Sequence, residues 1–228
     1  LLVTTIPSMI IAIYGMPPLD LVFFTLAGGT LLAISANVMN QVFEVDRDKL
    51  MKRTSDRPIV TGELTKKNAI IYSSLTGISG FLILYFLTTP LAGFIALSAN
   101  LFYTFVYTLI LKPRTNQNIV IGGAAGAAPV LIGWAATGTP IEIGTWVLFL
   151  LVFMWTPAHF WALAIENKSD YENADFPMLS TQESYERTSI FISIYSCATV
   201  LISIIAAPIL QLGIVYVIIA IFFGGNLM

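Results

Sequence analysis

Apolar runs of about twenty residues, separated by short polar breaks, repeat along this chain from end to end. A helix that crosses a bilayer needs roughly 20 predominantly apolar residues. That measure predicts eight such helices, near 1–15, 20–41, 68–88, 91–111, 117–136, 143–166, 188–207 and 211–228. The expected fold is all-α, a polytopic transmembrane helix bundle forming one domain over 1–228. Composition agrees: 57% of residues are hydrophobic and 11% charged, against about 25% charged in soluble domains, and the mean hydropathy is +0.83. Lipid is the expected solvent. The chain opens inside one apolar run and stops soon after another, with no basic leader or cleavage site, which reads as a piece trimmed at both ends.

The net charge of −2 says little until the charges are placed. With eight helices the connections alternate between two membrane faces. All 11 Lys and Arg residues then fall on one face: Arg47 to Lys67 after the second helix, Lys112 and Arg114 after the fourth, Lys168 and Arg187 after the sixth. The acids join them, except Asp20 and Glu142. The positive-inside rule makes that face cytoplasmic or its organellar equivalent. The far-side connections are short, as in Met16-Pro17-Pro18-Leu19 and Gly138-Thr139-Pro140. The two long near-side loops, 42–67 and 167–187, are polar, and long loops tend to be functional. Their spacing suggests two similar halves, each lending one polar loop to a shared site.

The first loop reads NQVFEVDRDKLMKRTSDRP from Asn40. Asn40, Glu44 and Asp48 are four apart. On a continuing helix they form one stripe, each step turning about 40° and rising about 6 Å, with Arg47 on it and Asp46 pointing away. Two carboxylates and an amide make a hard-oxygen surface suited to Mg²⁺ shared with phosphates. Arg53 and Arg57 add guanidinium forks that match phosphate oxygens. The plain alternative is a charge-balanced loop that merely sets topology.

The second segment, WTPAHFWALAIENKSDYENADFPML from Trp155, holds the only histidine. On one helix His159, Glu166 and Asp170 would share a face, offering a second carboxylate pair for a second Mg²⁺. Lys168, Tyr171 and Asp175 lie close by, and Pro157 is expected to kink or loosen the helix before His159. An ionisable residue in a membrane helix is a functional candidate; acceptor positioning, metal ligation and proton transfer all remain open for His159. Between the two loops, Gly122 to Ala128 form a run of small residues suited to close helix packing. Its polar lead-in, Lys112 to Asn118, lies on the charged face, where it either closes over a diphosphate or anchors the interface. Cys197, inside an apolar helix, is expected as a small core residue.

Taken together, NQVFEVDRDKLMKRTSDRPIVTGEL, LKPRTNQNIVIGGAAGAAPVLIGWAATG and WTPAHFWALAIENKSDYENADFPML resemble the UbiA-type intramembrane prenyltransferases, and within them the haem-modifying branch. The resemblance covers nearly the whole chain. Where the superfamily carries Asn-x3-Asp-x3-Asp, this chain has Glu44 in the middle. Where many relatives carry Asp-x3-Asp in the second loop, it has Glu166 and Asp170. The resemblance implies nine helices in full-length members and transfer of a farnesyl group from farnesyl diphosphate to a vinyl group of haem B, giving haem O and diphosphate. It also implies two Mg²⁺ ions bridging the diphosphate, on Asn40, Glu44, Asp48, Glu166 and Asp170. Asn40, Glu44, Asp48 and Asp170 would carry catalysis; Arg53, Arg57, Lys112, Arg114 and Lys168 would bind the diphosphate; His159, Trp161 and Tyr171 would contact the acceptor. The expected setting is a prokaryotic cell membrane or mitochondrial inner membrane, with haem A synthase as a partner and no nucleic acid.

Rival readings are a prenyltransferase of the same superfamily with another acceptor (an aromatic ring, a chlorophyll-type or a lipid alcohol), a secondary transporter, and a silent scaffold. Transporters place ionisable groups near the bilayer midplane, whereas here they crowd one interface. A scaffold leaves the four-residue registers without a reason.

Overall fold

A computed structural model describes residues 2–225. The helices in order are α1 (Leu2–Ile13), α2 (Leu19–Asp48), the short α3 (Pro58–Thr61), α4 (Lys66–Leu87), α5 (Pro90–Leu101), α6 (Asn118–Ala136), α7 (Ile143–Glu166), the short α8 (Lys168–Asn173) and α9 (Leu179–Gln182), α10 (Tyr185–Ile209) and α11 (Ile214–Gly225). A π-helix, Phe102–Leu111, prolongs α5. Among the described residues six spans are long and apolar enough to cross a membrane, and α1 is a shorter apolar helix. The eight-helix expectation survives; α11 is described to Gly225, and the expected end at 228 lies outside the described residues.

Boundaries follow from capping. Thr65, Thr89 and Ser184 each accept a hydrogen bond from the backbone N–H three residues on, opening α4, α5 and α10, which satisfies an amide the helix itself leaves free. Pro90 at the first turn of α5 sacrifices nothing, because its missing N–H would be unpaired there anyway.

Close approach of backbones holds the bundle together. At the α2–α4 crossing, a Cβ on Gly80 would lie 2.7 Å from the Gly28 carbonyl oxygen. Ser35 and Ser73 hydrogen-bond across the same pair of helices, 3.1 Å apart. Burial of apolar side chains drives association little where lipid is equally apolar, so packing and such bonds carry the interface. Gly80→Val is therefore expected to force α2 and α4 apart and to cost about 2–3 kcal/mol, as overpacking of a tight site does; thermal melting in nanodiscs reads it, and an unchanged melting temperature would refute the crossing. The small-residue helix α6 is the most buried span. A Cβ on Gly133 would sit 2.6 Å from the Thr5 carbonyl oxygen, and Ser8 donates to the Val130 carbonyl at 2.7 Å. Close packing is what its glycines and alanines provide.

Four local expectations are corrected. The second helix does not stop near 41: α2 continues to Asp48, taking 42–48 out of the loop. Thirty residues at 1.5 Å each reach about 45 Å, so a polar end clears a hydrocarbon core of about 30 Å. α7 ends at Glu166 as expected but does not carry on to Asp170: Asn167 leaves helical geometry (φ −104°, ψ 25°) and starts α8. The fourth span is not uniform, because from Phe102 the backbone widens, Lys112 N–H bonding to the Tyr107 carbonyl five residues back at 2.9 Å. Cys197 is exposed on α10 rather than part of the core, since the face of α10 that packs inward carries Thr188, Ser196 and Thr199.

Candidate active site

The polar end of α2 delivers the expected stripe. Asn40, Glu44 and Asp48 are all buried, while Asp46 faces out and pairs with Lys49 at 3.1 Å. Each stripe residue meets a different partner. The Asn40 side-chain amide donates to the Thr108 hydroxyl at 3.2 Å, on the π-helix. Lys112, at the end of that π-helix, ion-pairs with Glu44 Oε2 at 2.6 Å. Arg57 reaches back from the following loop to Asp48 Oδ2, also at 2.6 Å. Burial pushes the Lys112 ammonium below its ordinary pKa, and the Glu44 charge partly restores it.

The second polar segment joins the first through Asp170. Its carboxylate is buried and accepts the backbone N–H of Lys52 at 3.1 Å and of Arg53 at 3.0 Å. Asp170 thus pins the 49–57 turn from the opposite loop, so the two polar loops are in contact. Tyr171 beside it is half-buried; burial raises its hydroxyl pKa, with Arg53 opposing.

Other candidates are placed elsewhere. Glu166 is exposed at the end of α7, and the break at Asn167 separates it from Asp170, so the shared helical face expected for His159, Glu166 and Asp170 does not form. Arg53 and Arg114 are exposed, Arg114 capping the Leu109 and Ile110 carbonyls at 3.4 and 3.5 Å. Lys168 is exposed and pairs with Glu172 at 3.7 Å. His159 stacks on Trp155, with ring centroids 4.5 Å apart, and meets the edge of Phe160. Trp161 is a core residue, its ring set edge-on to Phe191 and Tyr195.

Residues that spacing did not single out complete the cluster. Phe176 carries both Arg47 and Lys112 over its ring, each 4.5 Å from the centroid. Tyr103 and Tyr107 stack at 5.2 Å on the π-helix, and Gly122 has no side chain because a Cβ there would strike the Tyr107 ring. Polar residues four apart inside an apolar span, Tyr103-Thr104 and Tyr107-Thr108, were the available signal. Such π-turns are rare and concentrate at functional sites.

The donor set fits a divalent ion. It is all hard oxygen, and Glu44 Oε1 is buried with no hydrogen-bond partner among the described residues, an acceptor left for a ligand. No group of three or more His, Cys, Asp or Glu among the described residues is gathered for a metal; a bound ion would draw on the Glu44 and Asp48 carboxylates and the Asn40 amide.

Residues 1–228 match the UbiA prenyltransferase family over their full length. The chain belongs to this family. It is 44% identical over 220 residues to the protoheme IX farnesyltransferase of Renibacterium salmoninarum, covering 96% of this chain and 69% of that protein. It is 44% identical over 225 residues to that of Clavibacter sepedonicus, covering 99% and 74%. It is 46% identical over 208 residues to protoheme IX farnesyltransferase 1 of Saccharopolyspora erythraea, covering 91% and 67%. The fold is similar to that of a UbiA homologue from Archaeoglobus fulgidus bound to GPP and Mg²⁺, with a TM-score of 0.81 at 17% identity over 99% of this chain and 80% of that one. It is also similar to a digeranylgeranylglyceryl phosphate synthase, with a TM-score of 0.78 at 18% identity over 99% and 78%. Like the rest of the UbiA family, the chain is a multi-pass integral membrane prenyltransferase.

Proposed function

We propose that this chain transfers a farnesyl group from farnesyl diphosphate to a vinyl group of protohaem IX, giving haem O and diphosphate. The observation that carries the reading is the buried Asn40-Glu44-Asp48 stripe, faced by Lys112 and Arg57 at one end of an apolar bundle. The likeness of about 44% to protoheme IX farnesyltransferases supplies the acceptor.

Mg²⁺, when bound, would neutralise charge growing on the diphosphate as its bond to the allylic carbon breaks. Asn40, Glu44 and Asp48 would hold it; a second ion would draw on Asp170, the buried carboxylate of the opposite loop. Lys112 and Arg57 stand beside the carboxylates and would turn to the diphosphate oxygens, stabilising negative charge in a site where water is scarce. Asp170 keeps the 49–57 turn in place through two amides. The apolar bundle would shield the allylic cation from water until the vinyl carbon attacks it; water then adds to the resulting porphyrin-side cation and loses a proton. The site opens on the cytoplasmic or matrix side of its membrane.

Incubating the full chain with protohaem IX, farnesyl diphosphate and Mg²⁺ is expected to yield haem heavier by a farnesyl group plus a hydroxyl, read by mass spectrometry and absent when Mg²⁺ is chelated. Diphosphate release with unaltered haem would overturn the acceptor and leave the family reaction standing.

A further inference from the structure

We propose that Phe176 is a positioning residue that holds Arg47 and Lys112 as a cation pair, and that Arg47 is thereby a diphosphate-binding residue. The inference rests on the reading above and extends its site to groups outside the carboxylate stripe.

One ring serves two cations. Arg47 Cζ and Lys112 Nζ both stand over Phe176 at 4.5 Å from its centroid, so the two charges lie within twice that distance of each other. Like charges held this close repel, and the face of an aromatic ring offsets part of that through its quadrupole. The ring is itself fixed. Phe176 is buried, its N–H bonds to the Tyr171 carbonyl at 3.0 Å, its own carbonyl accepts from Met178 at 2.8 Å, and Tyr171 packs edge-on against it. Asp175, in the left-handed region at φ 52°, turns the chain so that Phe176 points back under α2 and the π-helix.

The two cations differ in what they lack. Lys112 has Glu44. Arg47 has no such counter-ion among the described residues: Asp46 turns outward to Lys49, and Asp48 is taken by Arg57. Arg47 Nη1 is buried with no hydrogen-bond partner among the described residues. A buried donor without an acceptor is costly, and a guanidinium fork is matched by phosphate oxygens. One turn from Glu44 on the same stripe, Arg47 is set to take the diphosphate oxygens that the metal-binding carboxylates leave free. The chemistry recognised is a dianionic or more highly charged diphosphate group, not the isoprenoid or the porphyrin.

The test is calorimetric titration of farnesyl diphosphate, with Mg²⁺ and without haem, into the full chain in nanodiscs. Arg47→Gln and Phe176→Leu are each expected to weaken binding about ten-fold, and Phe176→Tyr, which keeps the ring face, to remain within about two-fold of the parent. Protohaem binding, followed by absorbance, should stay within about two-fold in all three. The double variant Arg47→Gln/Phe176→Leu should weaken binding by less than the product of the single effects, because the ring acts partly through the guanidinium. Unchanged binding in Phe176→Leu or Arg47→Gln would overturn the proposal. So would equal losses in Phe176→Leu and Phe176→Tyr, or parallel losses of farnesyl diphosphate and protohaem, since these mark general damage to packing. The acceptor takes no part in this titration, so a parent chain that binds farnesyl diphosphate without altering haem would count against the acceptor alone.

Discussion

Asp48→Ala should lower kcat/KM for farnesyl transfer by about 10²–10³-fold, the loss typical when one preorganised group that stabilises transition-state charge is removed. Asp48 is 2% exposed and sits at the end of the stripe, bonded to Arg57 at 2.6 Å. In the proposed site, removing it would take away a hard-oxygen ligand, and it frees Arg57 from the carboxylate that orients it, so metal and leaving group would both be less well held. Asp48→Asn keeps the shape and the bond to Arg57 but loses the charge. If the carboxylate acts by charge, Asp48→Asn falls nearly as far as Asp48→Ala, and raising Mg²⁺ recovers part of the rate. Steady-state rates of haem O formation across a Mg²⁺ series check this. Full activity in Asp48→Asn would remove Asp48 from the metal site.

Lys112→Met is expected to destabilise the protein by about 3–5 kcal/mol, because it strands the buried Glu44 charge. Glu44 and Lys112 are 6% and 15% exposed, and their contact joins α2 to the π-helix across 68 positions of sequence. The double variant Glu44→Gln/Lys112→Met should recover most of the melting temperature, since no charge is left without its counter-ion, yet stay inactive for want of both groups. Glu44→Gln alone should cost less than Lys112→Met, because burial already favours the neutral amine of Lys112. The sign of its pH dependence follows. A lysine whose folded pKa lies below its unfolded value binds fewer protons in the folded state, so stability rises with pH in the window below 10.5. Loss of the Glu44 charge lowers the folded pKa further, so that rise is steeper in Glu44→Gln than in the parent. Thermal melts between neutral and alkaline pH read the slope, and equal slopes would show that Glu44 does not support the Lys112 charge.

Much of this protein is legible from local pattern. Length and hydropathy mark the eight helices because a bilayer demands about twenty apolar residues wherever they fall in the chain. The one-sided charges gather the candidate site residues at one end of the predicted spans, and the four-residue register of Asn40, Glu44 and Asp48 needs only a helix that keeps going, as α2 does. The small residues of α6 announce close packing in the same way.

What the tertiary structure decided is the choice of partners. Glu44 with Lys112, Asp170 with the Lys52 and Arg53 amides 118 and 117 positions away, and Phe176 beneath Arg47 and Lys112 are long-range contacts that no spacing encodes. The widened turn at Phe102 and the break at Asn167 likewise escape hydropathy, which averages over a window and registers neither the hydrogen-bond register nor one residue leaving helical geometry. Periodicity shows which side chains share a helix face; only packing of one helix against another settles which of them meet across the bundle.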